Sequence, residues 1–430
     1  MNRRRFLKES TAAIIGAGTA TKTGRASARG QDASARPRIQ EYRVLGRTGF
    51  KVSDIAAGYF ADEGVLRAAL DAGMNYIDSA EQYPGHHRLV GKAIKGRDRK
   101  SVFVTTKLQI LEDKTREGFL KRARKCLEDL ETDYIDCMMM HMPEKAEILK
   151  TEGFHEAMKE LKAEGRVRFV GVSNHGSFWF RDPEETMEKV LMAAADDGRF
   201  DVFLMAYNFL KMDEAERVLE VCREKKIGTA IMKSTPVALY YGMKTMIEQL
   251  EKEKKEVHPL YMEGLARYKE KVDRAQEFIK RYNLGSPEEI QTAAVRFVLG
   301  NPNVSTVCAV PRTYDNLDSW LRLSGTRLSD VEKDKLAAYR EGCSELYCRH
   351  ACGRCEPSCP KGVPVNTIMR FFQYYAGRGR EREAIVSYAG IPGSRADSCA
   401  HCPGHCETAC PYDVPVQGML LLAHNHLSVP

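Results

Sequence analysis

Eight cysteines fall in two runs near the C-terminus. Cys348-x3-Cys352-x2-Cys355-x3-Cys359-Pro360 is followed 51 residues later by Cys399-x2-Cys402-x3-Cys406-x3-Cys410-Pro411, and the runs continue into matching tails, CPKGVPV and CPYDVPV. Four thiols within a dozen positions can pair as disulfides, hold zinc as thiolates or ligate an iron–sulfur cluster. Such close spacing is awkward for disulfide geometry. Zinc sites more often separate two Cys-x2-Cys pairs by a finger and need no proline after the last cysteine. A second set of reactive groups lies far upstream: Asp78 ends NYIDSA, Tyr83 follows five residues on, Lys107 ends FVTTK and His141 ends YIDCMMMH. A packed interior would not choose these side chains, and at the ends of parallel strands they would converge on one pocket.

The elements that must position them repeat a pattern. From Tyr42 to about Ser324, short apolar runs alternate with amphipathic stretches of helical period, the mark of a parallel α/β fold. Candidate strands are DIAAGYF, NYIDSA, SVFVTTK, YIDCMMMH, VRFVGVSN, DVFLMAYN, GTAIMKS and VSTVCAVP, separated by helices such as REGFLKRARKCLEDLE and DEAERVLEVCREKK. Eight such units predict a (β/α)8 TIM barrel over residues 37–327. YRVLGRTGFKVS reads as a hairpin turning at Gly46 to Gly49 and plugging the barrel's N-terminal mouth. A charged insertion runs from Tyr240 to about Val272, as either a lid or a solvated helix. Residues 328–430 are expected to form a small α-rich domain carrying the cysteine runs.

Composition narrows the function. The net charge is +7, and residues 1–36 hold eight Lys/Arg against two acids. The remainder is nearly neutral and offers no nucleic-acid footprint or polybasic membrane patch. Continuous apolar stretches fall short of the ~18 residues of a membrane-spanning helix. The start, MNRRRFLKES, sets Arg3 and Arg4 before Phe6, Leu7 and a weakly apolar segment, with small-residue sites at Ala26-Ser27-Ala28 and Ala33-Ser34-Ala35. It resembles a twin-arginine export signal, which implies a periplasmic or extracytoplasmic protein. The glycine string GAGTATKTG follows no strand and is set aside as a dinucleotide loop.

NYIDSAEQY, Gly91 in HHRLVGKAI, TTK, DYIDCMMMH and GVSN together resemble the aldo-keto reductases over roughly residues 40–325. The resemblance implies hydride transfer from NADPH or NADH to a small carbonyl, or the reverse oxidation of an alcohol, a sugar among the candidate substrates. Tyr83 would be the general acid, Lys107 would draw its phenol toward working pH, Asp78 would balance Lys107, and His141 would orient the carbonyl oxygen or relay the proton. Ser173 and Asn174 match contacts to the nicotinamide carboxamide, and Arg312, Thr313 and Asn316 match contacts to the adenosine phosphate. Leu204 replaces a customary glutamine, and Ser319-Trp320 replaces a Glu-Asn pair. His86-His87 stands where Ser-Glu is common, either as an exposed pair or as an aid to a metal or a sugar hydroxyl.

The cysteine repeat resembles bacterial ferredoxins, with one extra residue after Cys348 and after Cys402. It implies two [4Fe-4S] clusters in a ferredoxin-like domain, Cys348, Cys352 and Cys355 sharing a cluster with Cys410, and Cys399, Cys402 and Cys406 with Cys359. Cys343 would be a spare or a substitute ligand. Cys126, Cys137, Cys222 and Cys308 read as small core residues. The twin-arginine route carries proteins folded around their cofactors, so the two resemblances agree. The expectation is an exported iron–sulfur oxidoreductase, with a one-electron partner as a further possibility. The alternative is a non-catalytic barrel whose C-terminus is stapled by clusters or zinc.

Overall fold

The computed structural model describes residues 36–174, 185–210, 212–235, 273, 277, 279–280, 284–285, 287–343, 347–349, 352–377, 380–400 and 402–428. The paired-arginine segment and the insertion from Tyr240 to about Val272 lie outside the described residues. Pro37–Pro430 form one compact unit.

The chain enters through a hairpin. Strand β1 (Tyr42–Val44) pairs antiparallel with β2 (Lys51–Ser53) across a turn at Gly46–Thr48. Gly46 has φ 50°, and a Cβ there would lie 2.2 Å from the backbone nitrogen of Gly228, so both conformation and close approach demand glycine. Arg47 donates its backbone N–H to the Lys226 carbonyl, and Leu45 and Val52 join Tyr76, Phe103, Met139 and Ala230 in the barrel's interior core. The hairpin is therefore a plug on the barrel floor, as its sequence implies.

Eight parallel strands close the barrel: β3 (Ile55–Ala57), β4 (Tyr76–Asp78), β5 (Phe103–Gln109), β6 (Ile135–His141), β7 (Val167–Asn174), β8 (Val202–Ala206), β9 (Gly228–Met232) and β10 (Thr306–Ala309), with β10 beside β3. Each falls within an expected run except β5, which continues two residues past SVFVTTK to Gln109. A parallel barrel strand is covered on both faces, so its sequence is a continuous apolar stretch rather than an alternation. All seven residues of β6 are buried. Register sets Gln109 opposite His141, and His141 opposite Ser173. Polar strand ends thus gather at one mouth.

Helices α1 (Glu63–Asp71), α2 (His86–Ile94), α3 (Arg116–Asp129), α4 (Glu152–Ala163), α5 (Met187–Asp197), α6 (Asp213–Glu224), α7 (Pro287–Gly300) and α8 (Tyr314–Leu321) accompany the strands. In α3 the Thr115 hydroxyl caps the Gly118 N–H at 3.1 Å, and Phe119, Leu120, Ala123, Cys126 and Leu127 form the buried stripe. Gly91 on α2 lets that helix approach α3's end, because a Cβ would stand 2.5 Å from the Leu130 carbonyl oxygen.

Beyond the barrel lie α9 (Asp330–Cys343), α10 (Val365–Phe372) with a wider turn at Gln373–Gly377, α11 (Glu381–Ala389), α12 (His405–Thr408) and α13 (Val416–Leu427). The cysteine repeat is a structural repeat. Helices α10 and α13 begin 51 residues apart, each after a Val-Pro step. The Glu356 carboxylate accepts the Asn366 N–H at 2.7 Å, and Glu407 accepts the equivalent Gln417 N–H at 3.1 Å. Every residue of α10 is buried. It belongs to a second core in which Val365, Ile368, Phe372, Met419 and Leu420 meet Phe209, Leu210, Ile290 and Ala293 of the barrel. Truncating Phe372 in such a setting costs about 3–5 kcal/mol. Among the described residues, no helix is long and apolar enough to cross a membrane.

Candidate active site

Asp78, Tyr83, Lys107, His141 and Ser173 line a single cavity of about 90 Å3 at the C-terminal mouth of the barrel. Lys107 donates from Nζ to Asp78 Oδ2 at 2.7 Å and to the Ser79 carbonyl at 2.6 Å. The other carboxylate oxygen of Asp78 accepts from Thr105 Oγ1 at 3.0 Å. A buried charge pair is stable only when its remaining hydrogen-bonding capacity is met, and these bonds help to meet it. His141 Nδ1 lies 2.7 Å from Gln82 Oε1. Burial, then Lys107 and Arg370, push His141 well below the ordinary imidazole range, so its ring is neutral.

Tyr83 is set by its neighbours. Lys107 Nζ stands 5.3 Å from the centroid of its ring, and Tyr59 meets it edge-on at 5.3 Å. Burial, then the Asp78 carboxylate, push the phenol well above its ordinary value, and Arg380 works against them. Burial and the Asp78 carboxylate thus outweigh the lowering expected of Lys107. That ammonium is turned to Asp78 and Ser79, and the opposing cation comes from the C-terminal segment.

His86 and His87 are not exposed. The helical stripe of α2 buries both. His86 Nε2 accepts the Phe60 N–H at 3.3 Å, which leaves the proton on Nδ1 to donate to Ser79 Oγ at 2.8 Å. Its ring stacks on Tyr59 at 4.8 Å. Burial, then His87, Lys107 and Arg380, hold it near about 3. His87 Nε2 pairs with Thr106 Oγ1 at 2.7 Å, and burial holds His87 at about 4. The pair supports the wall behind Tyr83.

On the side expected to meet a cofactor, Ser173 Oγ is buried without a hydrogen-bond partner among the described residues. An unsatisfied buried hydroxyl facing a cavity invites a ligand amide or carbonyl, so this residue fits a nicotinamide carboxamide. Asn174 is buried beside it and donates to the Pro143 carbonyl at 3.0 Å. Leu204 and Trp320 both line the cavity. Arg312, Thr313 and Asn316 lie outside it, exposed at the start of α8, where Thr313 caps the Asn316 N–H at 3.2 Å. Cys308, expected as a core residue, is half-buried and lines the cavity, whereas Cys126, Cys137 and Cys222 are buried in the core.

Sequence reasoning missed Tyr59, Lys233, Tyr374 and Arg380, which also line the cavity. Tyr59 and Lys233 stand just past strand ends and carried the same signal as the other four. Tyr374 and Arg380 arrive from the C-terminal segment, and no local pattern announces them.

The cysteine runs interleave. The thiols acting most on Cys348 are Cys352 and Cys410, and those acting most on Cys399 are Cys406, Cys359 and Cys402. Burial, then Cys359 and Cys402, raise Cys406 to about 12. Cys355 faces Cys348, Cys406 and Cys410. Asn366 Nδ2 approaches Cys348 Sγ at 3.6 Å, and the Val363 N–H approaches Cys359 Sγ at 3.4 Å. Among the described residues, no group of three or more His, Cys, Asp or Glu is gathered closely enough to hold a single metal ion.

Comparison with known proteins adds the following. Residues 51–341 match the Aldo/keto reductase family model, a stretch that stops before the two cysteine runs. Aldo-keto reductase YhdN of Bacillus subtilis is 27% identical over 319 residues, covering 68% of this chain and 92% of that protein. Methylglyoxal reductase DkgB of Salmonella typhimurium is 31% identical over 135 residues, which are 31% of this chain and 47% of that protein. A solved aldo-keto reductase from Bacillus halodurans, in its holo form, is 21% identical with a TM-score of 0.49, covering 70% of this chain and 96% of its own.

Proposed function

The chain belongs to the aldo/keto reductase family and is an oxidoreductase, and from that premise we propose that it reduces a small carbonyl with Tyr83 as proton donor, on an exported protein that holds two [4Fe-4S] clusters. The observation that carries the first part is the convergence of Asp78, Tyr83, Lys107, His141 and the unpartnered Ser173 hydroxyl on one cavity. NAD(P)H, the family's cofactor, supplies the hydride when bound. Ser173 and Asn174 would hold its carboxamide, and Arg312, Thr313 and Asn316 its phosphate-bearing end.

The chain's own residues handle the proton. The raised phenol of Tyr83 keeps its hydrogen at neutral pH and can donate it to a developing alkoxide. The resulting phenolate would sit beside the Lys107 ammonium, whose charge favours it, and Asp78 keeps that ammonium in place. His141, neutral and with its proton on Nδ1 toward Gln82 Oε1, would present Nε2 as an acceptor, which suits relaying a proton or holding the alcohol hydroxyl rather than donating to the carbonyl oxygen. In the reverse direction the same groups would take a proton from an alcohol.

For the clusters, the support is the donor set. Cys352 and Cys410 act on Cys348, and Cys359 and Cys402 act on both Cys399 and Cys406, while Cys355 feels Cys348, Cys406 and Cys410 and so draws on both runs. Two-cluster ferredoxins cross their fourth ligands in the same way. A cubane spans its thiolates with its own iron and sulfide, so it asks for grouped thiols wider apart than a single ion would. Hydride carries two electrons, a [4Fe-4S] cluster accepts one, and the sequence holds no flavin motif. A structural role, or exchange with a one-electron partner, therefore suits these clusters better than an internal relay. Arg3 and Arg4 support export to the periplasm or its equivalent.

The experiment is anaerobic purification of the full chain, with iron, sulfide and zinc measured and NADPH oxidation followed with methylglyoxal and glyceraldehyde. About eight irons and eight sulfides per chain are expected, with aldehyde-dependent turnover. Zinc in place of iron would return the C-terminus to a metal staple, and absent turnover with every carbonyl would remove the reductase assignment.

A further inference from the structure

The loop after β4 is tied to the neighbouring strand. Glu81 gives its N–H to the Lys107 carbonyl at 3.2 Å, and its carboxylate accepts the Gln109 N–H at 2.7 Å and Arg122 Nη1 at 2.9 Å. Gln109 stands in register with His141 on β6. The loop therefore lies across the end of β5, and its next residue, Gln82, meets the last residue of β6 at 2.7 Å, Oε1 to Nδ1. We propose that Gln82 is a positioning residue that fixes the proton of His141 on Nδ1, so that Nε2 meets the ligand as a hydrogen-bond acceptor and the preferred substrate carries a hydroxyl beside its carbonyl carbon. This deepens the reductase reading and rests on it.

An amide oxygen only accepts, so the bond to Gln82 Oε1 places a hydrogen on Nδ1. Burial, then Lys107 and Arg370, keep the ring neutral, which leaves Nε2 a bare lone pair. Nε2 has no hydrogen-bond partner among the described residues, and His141 lines the cavity together with Tyr83. The Gln82 side chain makes no other hydrogen bond among the described residues, and its Nε2 is buried and unpaired. A buried donor left unpaired is costly. A methionine would fill the same space without that cost, so the amide is explained by its bond to His141. The opposite amide orientation would make the ring an Nε2–H donor, and the two arrangements differ in which ring nitrogen holds the proton.

A carbonyl has no hydrogen to give Nε2. Set against it, a simple aldehyde or ketone opposes lone pair to lone pair, whereas Tyr83 offers that oxygen a hydroxyl. The newly formed hydroxyl of a product can use Nε2, but in the reduction direction the entering molecule must bring its own donor. A hydroxyl on the adjacent carbon does so, donating to Nε2 while the carbonyl accepts from Tyr83. In a cavity of about 90 Å3 the two contacts are close together, so they suit oxygens on neighbouring carbons. A site built around a substrate hydroxyl discriminates against an analogue without one, because its buried acceptor is then left unpaired.

The test uses the anaerobically purified full chain with isotope-labelled histidine, and His141→Asn to assign the signal. Heteronuclear correlation spectra at neutral pH should show His141 neutral with its proton on Nδ1. In Gln82→Met, which removes the acceptor at similar volume, the proton should move at least in part to Nε2. Two matched pairs replace a methyl by a hydroxyl of similar size: butanone against hydroxyacetone, and propanal against glycolaldehyde, with rates referred to the free carbonyl form. Wild type should favour the hydroxylated member of each pair by roughly tenfold or more in kcat/KM, and Gln82→Met should cut that ratio by a similar factor, chiefly through KM. A proton on Nε2 in wild type would overturn the proposal, as would equal kcat/KM within either pair, and both measurements stand if Gln82→Met does not fold. The spectra separate this idea from the reductase reading. A proton held on Nδ1 in wild type and released in Gln82→Met, in a protein that turns over no carbonyl, keeps the role of Gln82 and removes the reductase; turnover with the proton on Nε2 does the reverse.

Discussion

Lys107 reaches Asp78 at 2.7 Å with its side chain 1% exposed and the aspartate's 9% exposed, so each is the other's answer to burial. Replacing Lys107 by Met leaves a carboxylate without its cation. That change should destabilise the barrel by about 3–5 kcal/mol in denaturant unfolding. Adding Asp78→Asn should return much of the loss while activity stays absent. Full stability in the single variant would mean that the pair is not the closed unit its geometry suggests.

Tyr83→Phe deletes one hydroxyl and little volume. Turnover of carbonyls should fall roughly 100- to 10,000-fold, the usual contribution of a positioned general acid, while nicotinamide binding followed by fluorescence persists. Unchanged turnover would take the proton donor away from Tyr83 and return the search to other groups lining the cavity.

Cys410→Ala tests the interleaving of the two runs. Because Cys410 is, with Cys352, the thiol that acts most on Cys348, the cluster proposed on residues 348–355 should be damaged more than the one held by residues 399–406. Anaerobic absorption and electron paramagnetic resonance distinguish the two. Loss confined to the second cluster would mean that each run binds its own metal. Bleaching of wild-type protein by NADPH alone would show that hydride and clusters communicate after all.

His87 gives a pH dependence with a definite sign. Its ordinary value is 6.5 and the fold holds it at about 4. Between those limits the unfolded chain binds a proton that the folded chain refuses, so its contribution is whole above about 6.5 and is lost as pH falls through about 4. Unfolding free energy should therefore decline with acid in this window, and His87→Gln should flatten the decline by up to about 1.4 kcal/mol per pH unit. Parallel curves for the two proteins would show that His87 titrates normally.

Much of this was legible before any coordinates. Barrel strands are buried on both faces, so runs such as YIDCMMMH stand out, and their polar last residues mark the mouth. The repeat announced a duplication, and the structure adds that a helix starts at the same offset in each copy, after Pro364 and after Pro415. His86-His87 was misjudged for want of a periodic argument: His86, His87, Val90, Gly91, Ala93 and Ile94 form a stripe that only a buried helix face explains. Arg380 could not have been read at all. Its place in the cavity depends on how a second core docks on α7 and on the chain between β8 and α6, and that packing leaves no mark near residue 380.

Lys233 adopts φ 61°, a left-handed backbone that bears on how the sequence can drift. A glycine there would relieve on the order of 1 kcal/mol of conformational strain yet forfeit the lysine's 2.8 Å bond to the Tyr374 hydroxyl, which ties the barrel to the C-terminal segment. Drift at this position therefore sets a local gain in the barrel against a lost attachment, and in a library of full chains sorted for expression the frequency of glycine at 233 should report which is larger.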